Sequence, residues 1–163
     1  MTELELHVER SGERGPLVVL GHGFGGSARN FRAQTRALDE LARFVLHDAR
    51  GHAGSPAPVE AAAYRPEAFV SDVRRLVDDS GVERAVVGGL SMGAGIALRF
   101  ALAPPERVEA LVLASFPRSA DDPAHREWAL GFADALERVG LEAAGREFAW
   151  GETARSDPKG AAL

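Results

Sequence analysis

Gly89-Leu90-Ser91-Met92-Gly93 reads G-x-S-x-G, the pattern that puts a serine on a sharp turn between a strand and a helix. Covalent catalysis by a hydroxyl asks for such a place, where substrate and base can both reach the oxygen. The flanking glycines have a steric reason, since backbone segments approach closely at a bend of this kind. The neighbouring residues suit it: Arg84 to Val87 is a short apolar run of strand type, and Ala94 to Leu102 is apolar all round, as a helix in the middle of a domain is. The chain contains no cysteine, so a nucleophile must be Ser, Thr, Lys or a carboxylate. The rival reading of the motif is a glycine-rich structural turn.

Two more polar clusters follow strand-like runs, His22-Gly23-Phe24-Gly25-Gly26-Ser27 and Asp48-Ala49-Arg50-Gly51-His52-Ala53-Gly54-Ser55. Gly21 to Gly26 also satisfies G-x-G-x-x-G, and Asp48 ends a strand about 20 residues further on, the fingerprint of a dinucleotide site. That alternative leaves Ser91 and Arg50-Gly51 unexplained. A metal site built from His22, His47, Asp48 and His52 lacks any H-E-x-x-H or comparable spacing. His47, beside a buried run, reads as a satisfied structural histidine, and His7 as a residue of an exposed face.

Leu17 to Leu20, Phe44 to Leu46, Arg84 to Val87 and Ala110 to Ala114 are nearly continuous apolar runs, expected as parallel strands buried on both faces. Leu4 to Val8 alternates, which predicts an antiparallel edge strand. One helix is marked by Pro66 and Gly81 and puts Phe69, Val73, Leu76 and Val77 on one face. A weaker one after Ser27 turns Phe31, Leu38 and Leu41 inward. Alternating strands and helices predict a doubly wound α/β sheet whose site lies beyond the strands' carboxyl ends. After Pro117 to Pro123 the order changes to a helix with Trp128, Phe132, Leu136 and Val139 on one face, ended by Gly140. Asp157-Pro158 announces another helix start, against the alternative of a disordered tail.

The 163 residues correspond to one compact unit at roughly 150 residues per domain. A net charge of -5, from 19 basic and 24 acidic residues, argues against nucleic acid as a partner. No run approaches the ~18 apolar residues of a membrane span, and the first residues lack a signal-peptide pattern, so no membrane partner and a cytoplasmic location are expected.

Taken in order, the three loops resemble those of the α/β-hydrolase family, over about Leu4 to Ala114. The resemblance implies a serine hydrolase of the esterase, lactonase or C-C-bond hydrolase type, acting on a small-molecule acyl substrate without a cofactor. It implies Ser91 as nucleophile, with the backbone N–H groups of Phe24 and Met92 facing the developing oxyanion. It places His22, Gly23 and Trp128 at the substrate pocket and gives Asp48, Arg50 and His52 a loop-fixing role. The helix of Trp128 stands where the family inserts its cap, against the alternative that it packs on the body of the fold. The expected division is a partial core over residues 1–116 and the start of a helical cap over 117–163.

Such a serine needs a base, which the family supplies as a late histidine oriented by an acid. After Ser91 the sequence has one histidine, His125, with Asp121 and Asp122 shortly before it. These are the candidate base and acids, and the expectation is a C-terminally incomplete fold of low activity. An incomplete sheet would leave Ala110 to Ala114 as an open edge, able to pair with another copy or another chain. The alternative function is a non-catalytic domain or half of an obligate complex.

Overall fold

The computed structural model describes residues 4–116 and 122–148. Five strands, β1 (Val8–Ser11), β2 (Leu17–Gly21), β3 (Arg43–His47), β4 (Ala85–Leu90) and β5 (Val108–Ala114), form one sheet in the order β1-β3-β2-β4-β5. All neighbours are parallel except β1, which runs antiparallel to β3. The chain steps from β2 to β3 on one side, then crosses to β4 on the other. The carboxyl ends of β2 and β4 therefore lie at the point where the strand order reverses, the crevice in which such sheets bind ligands.

The apolar runs are continuous because both faces of the central strands are covered. Leu17, Val19, Val45, Ala85 and Val87 pack under α2 (Pro66–Asp79) and α3 (Met92–Leu102), with Val73, Val77 and Phe100 from the helices. Leu20, Phe44 and Leu46 face the opposite way, against Ala28, Ala42 and Phe31. Pro66 opens α2 at its first position, where a missing N–H costs nothing, and Gly81 follows its end with φ 66°.

Three expectations are corrected. The first strand lies at Val8–Ser11 rather than Leu4 to Val8, because its partner β3 ends at His47, opposite Val8. Before that point one bond, from Asp48 N–H to His7 O (3.0 Å), continues the pairing. The helix after Ser27 is interrupted: a 3-10 turn over Ala28–Phe31 precedes α1 (Arg32–Leu38). Three residues per turn shift the helical phase, so Ala28 and Thr35 are buried while Leu38 is exposed, and α1 ends before Leu41, which is exposed in the turn that follows. In β5 only Val108, Leu111 and Ala114 are partly buried; Leu111 packs on the core beneath α3, whereas Ala110, Val112 and Leu113 are exposed.

The chain divides at Pro117 into two compact units. In the second, α4 spans Pro123–Phe148 and is broken at Gly140 (φ 81°, ψ 170°), which joins two helical segments. Phe132, Ala135 and Ala144 form its core, with Trp128, Leu136 and Phe148 packed against them. Val139, expected on that apolar face, is exposed. Asp157-Pro158 lies outside the described residues.

Asp72 is a carboxylate buried on the apolar side of α2. It takes Arg50 in a bidentate pair, Nε to Oδ2 and Nη2 to Oδ1, both 2.8 Å, and the guanidinium also donates to Ala63 O and Ala68 O. Both side chains are about 5% exposed. The pair ties the loop after β3 to α2, and losing one partner strands the other charge in the interior. Asp72→Ala is expected to lower the unfolding free energy by about 3 to 5 kcal/mol in urea titrations; a loss below about 1 kcal/mol would contradict this account.

Candidate active site

Ser91 ends β4 and begins α3 with φ 49° and ψ −106°, a left-handed backbone that costs a non-glycine residue about 1–3 kcal/mol. Three backbone bonds hold it. Ser91 N–H donates to Ala114 O (2.9 Å), Gly95 N–H to Ser91 O (3.0 Å) and Gly93 N–H to His22 O (3.1 Å). The motif glycines are required by contact. A Cβ at Gly93 would lie 2.0 Å from Gly21 O, and one at Gly89 2.5 Å from the same oxygen. The helix start is thus pressed against the end of β2, and a glycine-rich turn without this strain does not describe it. Met92 N–H, between two donors already taken, lies in the first turn of α3, where no helical carbonyl is available and the dipole favours negative charge.

Ala53 (φ 42°) and Ser115 (φ 47°) are the other described non-glycine residues in left-handed geometry. Like Ser91 they lie in segments following the carboxyl ends of parallel strands. The register places Ser115 one step beyond the Leu90 and Ala114 pair, beside Ser91.

The segment from His22 to Ser27 is a closed turn. Gly26 N–H donates to Gly23 O (2.9 Å), and Gly25 supplies φ 71°. Its far end is fastened by Asn30 Oδ1, which accepts from Ser27 N–H (3.0 Å), and by Asp48 Oδ1, which accepts from Ala28 N–H (2.7 Å). Asp48 Oδ2 accepts from Gly54 N–H (2.9 Å). This carboxylate is buried at 3% exposure and fastens two loop backbones, so it is not presented to a ligand as the dinucleotide alternative requires.

Phe24 is 56% exposed, with its ring edge-on to His52 at 5.6 Å between centroids. Gly23 is buried, its Cβ position 3.6 Å from the Leu90 side chain. His22, expected at the pocket, lies beneath the loop at 1% exposure, Nε2 accepting from Ala49 N–H (2.9 Å) and Nδ1 facing Gly23 O at 2.7 Å. Burial pushes its pKa below the ordinary histidine value, and His52 adds to that fall. Among the described residues no three His, Asp or Glu side chains converge as metal ligands.

In the second unit Asp122 Oδ1 accepts from Ala124 N–H (3.0 Å), capping α4. His125 is exposed and stacks on Trp128 (5.7 Å), which stacks on Phe132 (5.6 Å) and donates from Nε1 to Phe148 O (3.2 Å). Trp128 is partly buried and packs against the core of its own unit. Asp121 lies outside the described residues. No described helix is long and apolar enough to cross a membrane.

Residues 16–150 match the family model for the alpha/beta hydrolase fold, and the chain belongs to that family. It is 33% identical over 115 residues to epoxide hydrolase 4 of Mus musculus, covering 70% of this chain and 32% of that protein. It is 37% identical over 115 residues to a 2-hydroxy-6-oxononadienedioate/2-hydroxy-6-oxononatrienedioate hydrolase of Pseudomonas putida, covering 68% and 40%. A solved thermophilic esterase from Thermogutta terrifontis superposes with a TM-score of 0.76 at 30% identity, covering 84% of this chain and 50% of the esterase. The chain thus spans between about a third and a half of the length of these proteins.

Sequence reasoning missed the supports of the site: Asp48 as cap of the 3-10 turn, Asp72 as partner of Arg50, and the two engaged nitrogens of His22. The one available signal was an aspartate interrupting the apolar face of α2. His47 is a correction of another kind. It is buried as expected, yet its Nδ1 has no hydrogen-bond partner, and the residue lines a cavity of about 10 Å³ with Val73, Gly88, Gly93 and Ile96. Burial lowers its pKa from 6.5 to about 4. The folded state prefers the neutral ring, so stability is full above pH 6.5 and lost as pH falls toward 4. Urea titrations at about pH 7.5 and about pH 5 are expected to differ by about 2 kcal/mol from this residue, a difference removed in His47→Gln. An equal acid loss in that variant would contradict the assignment.

Proposed function

We propose that this sequence carries the nucleophile and oxyanion donors of a serine hydrolase acting on a small ester, lactone or related acyl substrate. Ser91 Oγ adds to the carbonyl carbon as its proton passes to a base, and the oxyanion settles between the N–H groups of Phe24 and Met92. The tetrahedral adduct expels the alcohol, protonated by the same base, and leaves an acyl ester on Ser91. Water then repeats the addition, releasing the acid and restoring the hydroxyl. The base this reading requires is a histidine oriented by an acid; of the candidates named from the sequence, Asp122 already accepts from Ala124 N–H at the start of α4, and His125 stacks on Trp128. No cofactor enters any step.

The observation that carries the reading is the left-handed Ser91, with Gly93 N–H bonded to His22 O so that the nucleophile turn and the His22 to Ser27 loop touch. Chemistry narrows the substrate. Epoxide opening by a hydroxyl would leave an alkyl ether on Ser91, and an ether has no carbonyl for water to attack. A serine therefore turns over acyl substrates and not epoxides, whatever the names of the relatives. In the catalytically competent protein carrying this sequence, a fluorophosphonate probe is expected to label Ser91, and Ser91→Ala to abolish both labelling and ester turnover. Labelling elsewhere, or sustained epoxide hydrolysis that depends on Ser91, would contradict the proposal.

A second reading, half of an obligate complex, is favoured by the edge strand β5, where Val112 and Leu113 remain 46% and 40% exposed. An apolar edge with open backbone groups is a template for pairing. In this reading the purified 163-residue chain sediments as a dimer or larger, and Leu113→Lys makes it monomeric. A monomeric parent chain would rule out pairing with a second copy.

A further inference from the structure

His22 touches all three loops of the site. Its carbonyl accepts from Gly93 N–H, in the first turn after the nucleophile. On the other side, its ring nitrogen Nε2 accepts from Ala49 N–H, in the loop after β3. An imidazole that accepts at Nε2 while neutral carries its proton on Nδ1, and Nδ1 lies 2.7 Å from Gly23 O. The ring therefore donates to the carbonyl of the peptide that links Gly23 to Phe24. Gly26 N–H donates to the same oxygen at 2.9 Å, so both of its lone pairs are engaged.

A trans peptide is planar, with C=O and N–H pointing in opposite directions. Holding Gly23 O from beneath therefore fixes the direction of Phe24 N–H. We propose that His22 is a positioning residue for the oxyanion site: through Nδ1 it holds the Gly23–Phe24 peptide with its N–H directed away from the protein interior. The inference rests on the reading of Phe24 N–H as an oxyanion donor. His22 does not touch substrate. It acts through one peptide plane, and its own orientation is set by Ala49 N–H on one side and the helix start on the other.

The arrangement requires one tautomer and one charge state. A second proton would sit on Nε2, facing the Ala49 N–H that now donates to it, and the loop would lose a support. Burial lowers the His22 pKa; the hydrogen bond to Gly23 O opposes that fall, the neighbouring His52 (ring centroids 5.0 Å apart) adds to it, and Asp48 opposes it. His47 is the other titratable group that interacts with the ring. All three belong to β3 or the loop after it.

Two substitutions separate the two ring nitrogens. Asn places an amide donor near the position of Nδ1, whereas Gln places its amide near Nε2 and leaves Gly23 O without the ring donor. In the competent protein, His22→Gln is expected to lower kcat about a hundredfold with KM little changed, as for loss of one oxyanion donor. His22→Asn is expected to keep kcat within about tenfold of the parent. Equal kcat values in His22→Gln and the parent would overturn the proposal, as would equal losses in both variants. The 163-residue chain gives an independent reading, because long-range 1H–15N correlations report which imidazole nitrogen carries the proton. Protonated Nδ1 with bare Nε2 at neutral pH is expected, and the opposite tautomer refutes the positioning role. Failure of probe labelling at Ser91 would instead refute the acyl-transfer reading on which it rests.

Discussion

Backbone meeting backbone without side chains between them is the constraint on which the site depends. Gly21, Gly89 and Gly93 converge where β2 ends and α3 begins, and a Cβ at Gly93 would collide with Gly21 O. Only because that space is empty can Gly93 N–H reach His22 O, and that bond fastens the loop after β2 to the turn at Ser91. The strained φ of Ser91 follows, since a strand that enters a helix this abruptly has one residue in which to reverse direction.

Around this contact the fold spends its buried polar groups on holding loops. Asp48 takes two backbone donors, Arg50 and Asp72 form a bidentate pair, and His22 takes one donor and supplies another. Each group would be costly alone in the interior and is supported by a partner from a different segment. The loops after β2, β3 and β4 are thereby linked in pairs and cannot shift independently. Under the proposed function that linkage holds the oxyanion donors in place before charge develops.

The motif at Ser91 was legible because it is local: five residues specify a strand, a bend and a helix, and their glycines have a steric meaning that needs no tertiary knowledge. The same holds for the central strands and for α2, whose ends carry Pro66 and Gly81. Features set by partners distant in the chain were not legible. The place of β1 depends on where β3 ends, the exposure of Leu38 on a 3-10 turn that shifts the helical phase, and the exposure of β5 on its lying at the edge of the sheet. For the site the division is similar. The turn at Ser91 is local to its motif, and Phe24 and Met92 entered through the family resemblance, whereas the burial of His22 and the engagement of Asp48 involve hydrogen bonds across 20 or more residues.

The most direct measurement is a crystal structure of the competent protein carrying this sequence, inactivated by an organophosphonate. The account predicts phosphorus bonded to Ser91 Oγ and the phosphoryl oxygen about 2.7–3.1 Å from the backbone nitrogens of both Phe24 and Met92. A phosphoryl oxygen turned toward solvent, with neither nitrogen within hydrogen-bonding distance, would contradict it.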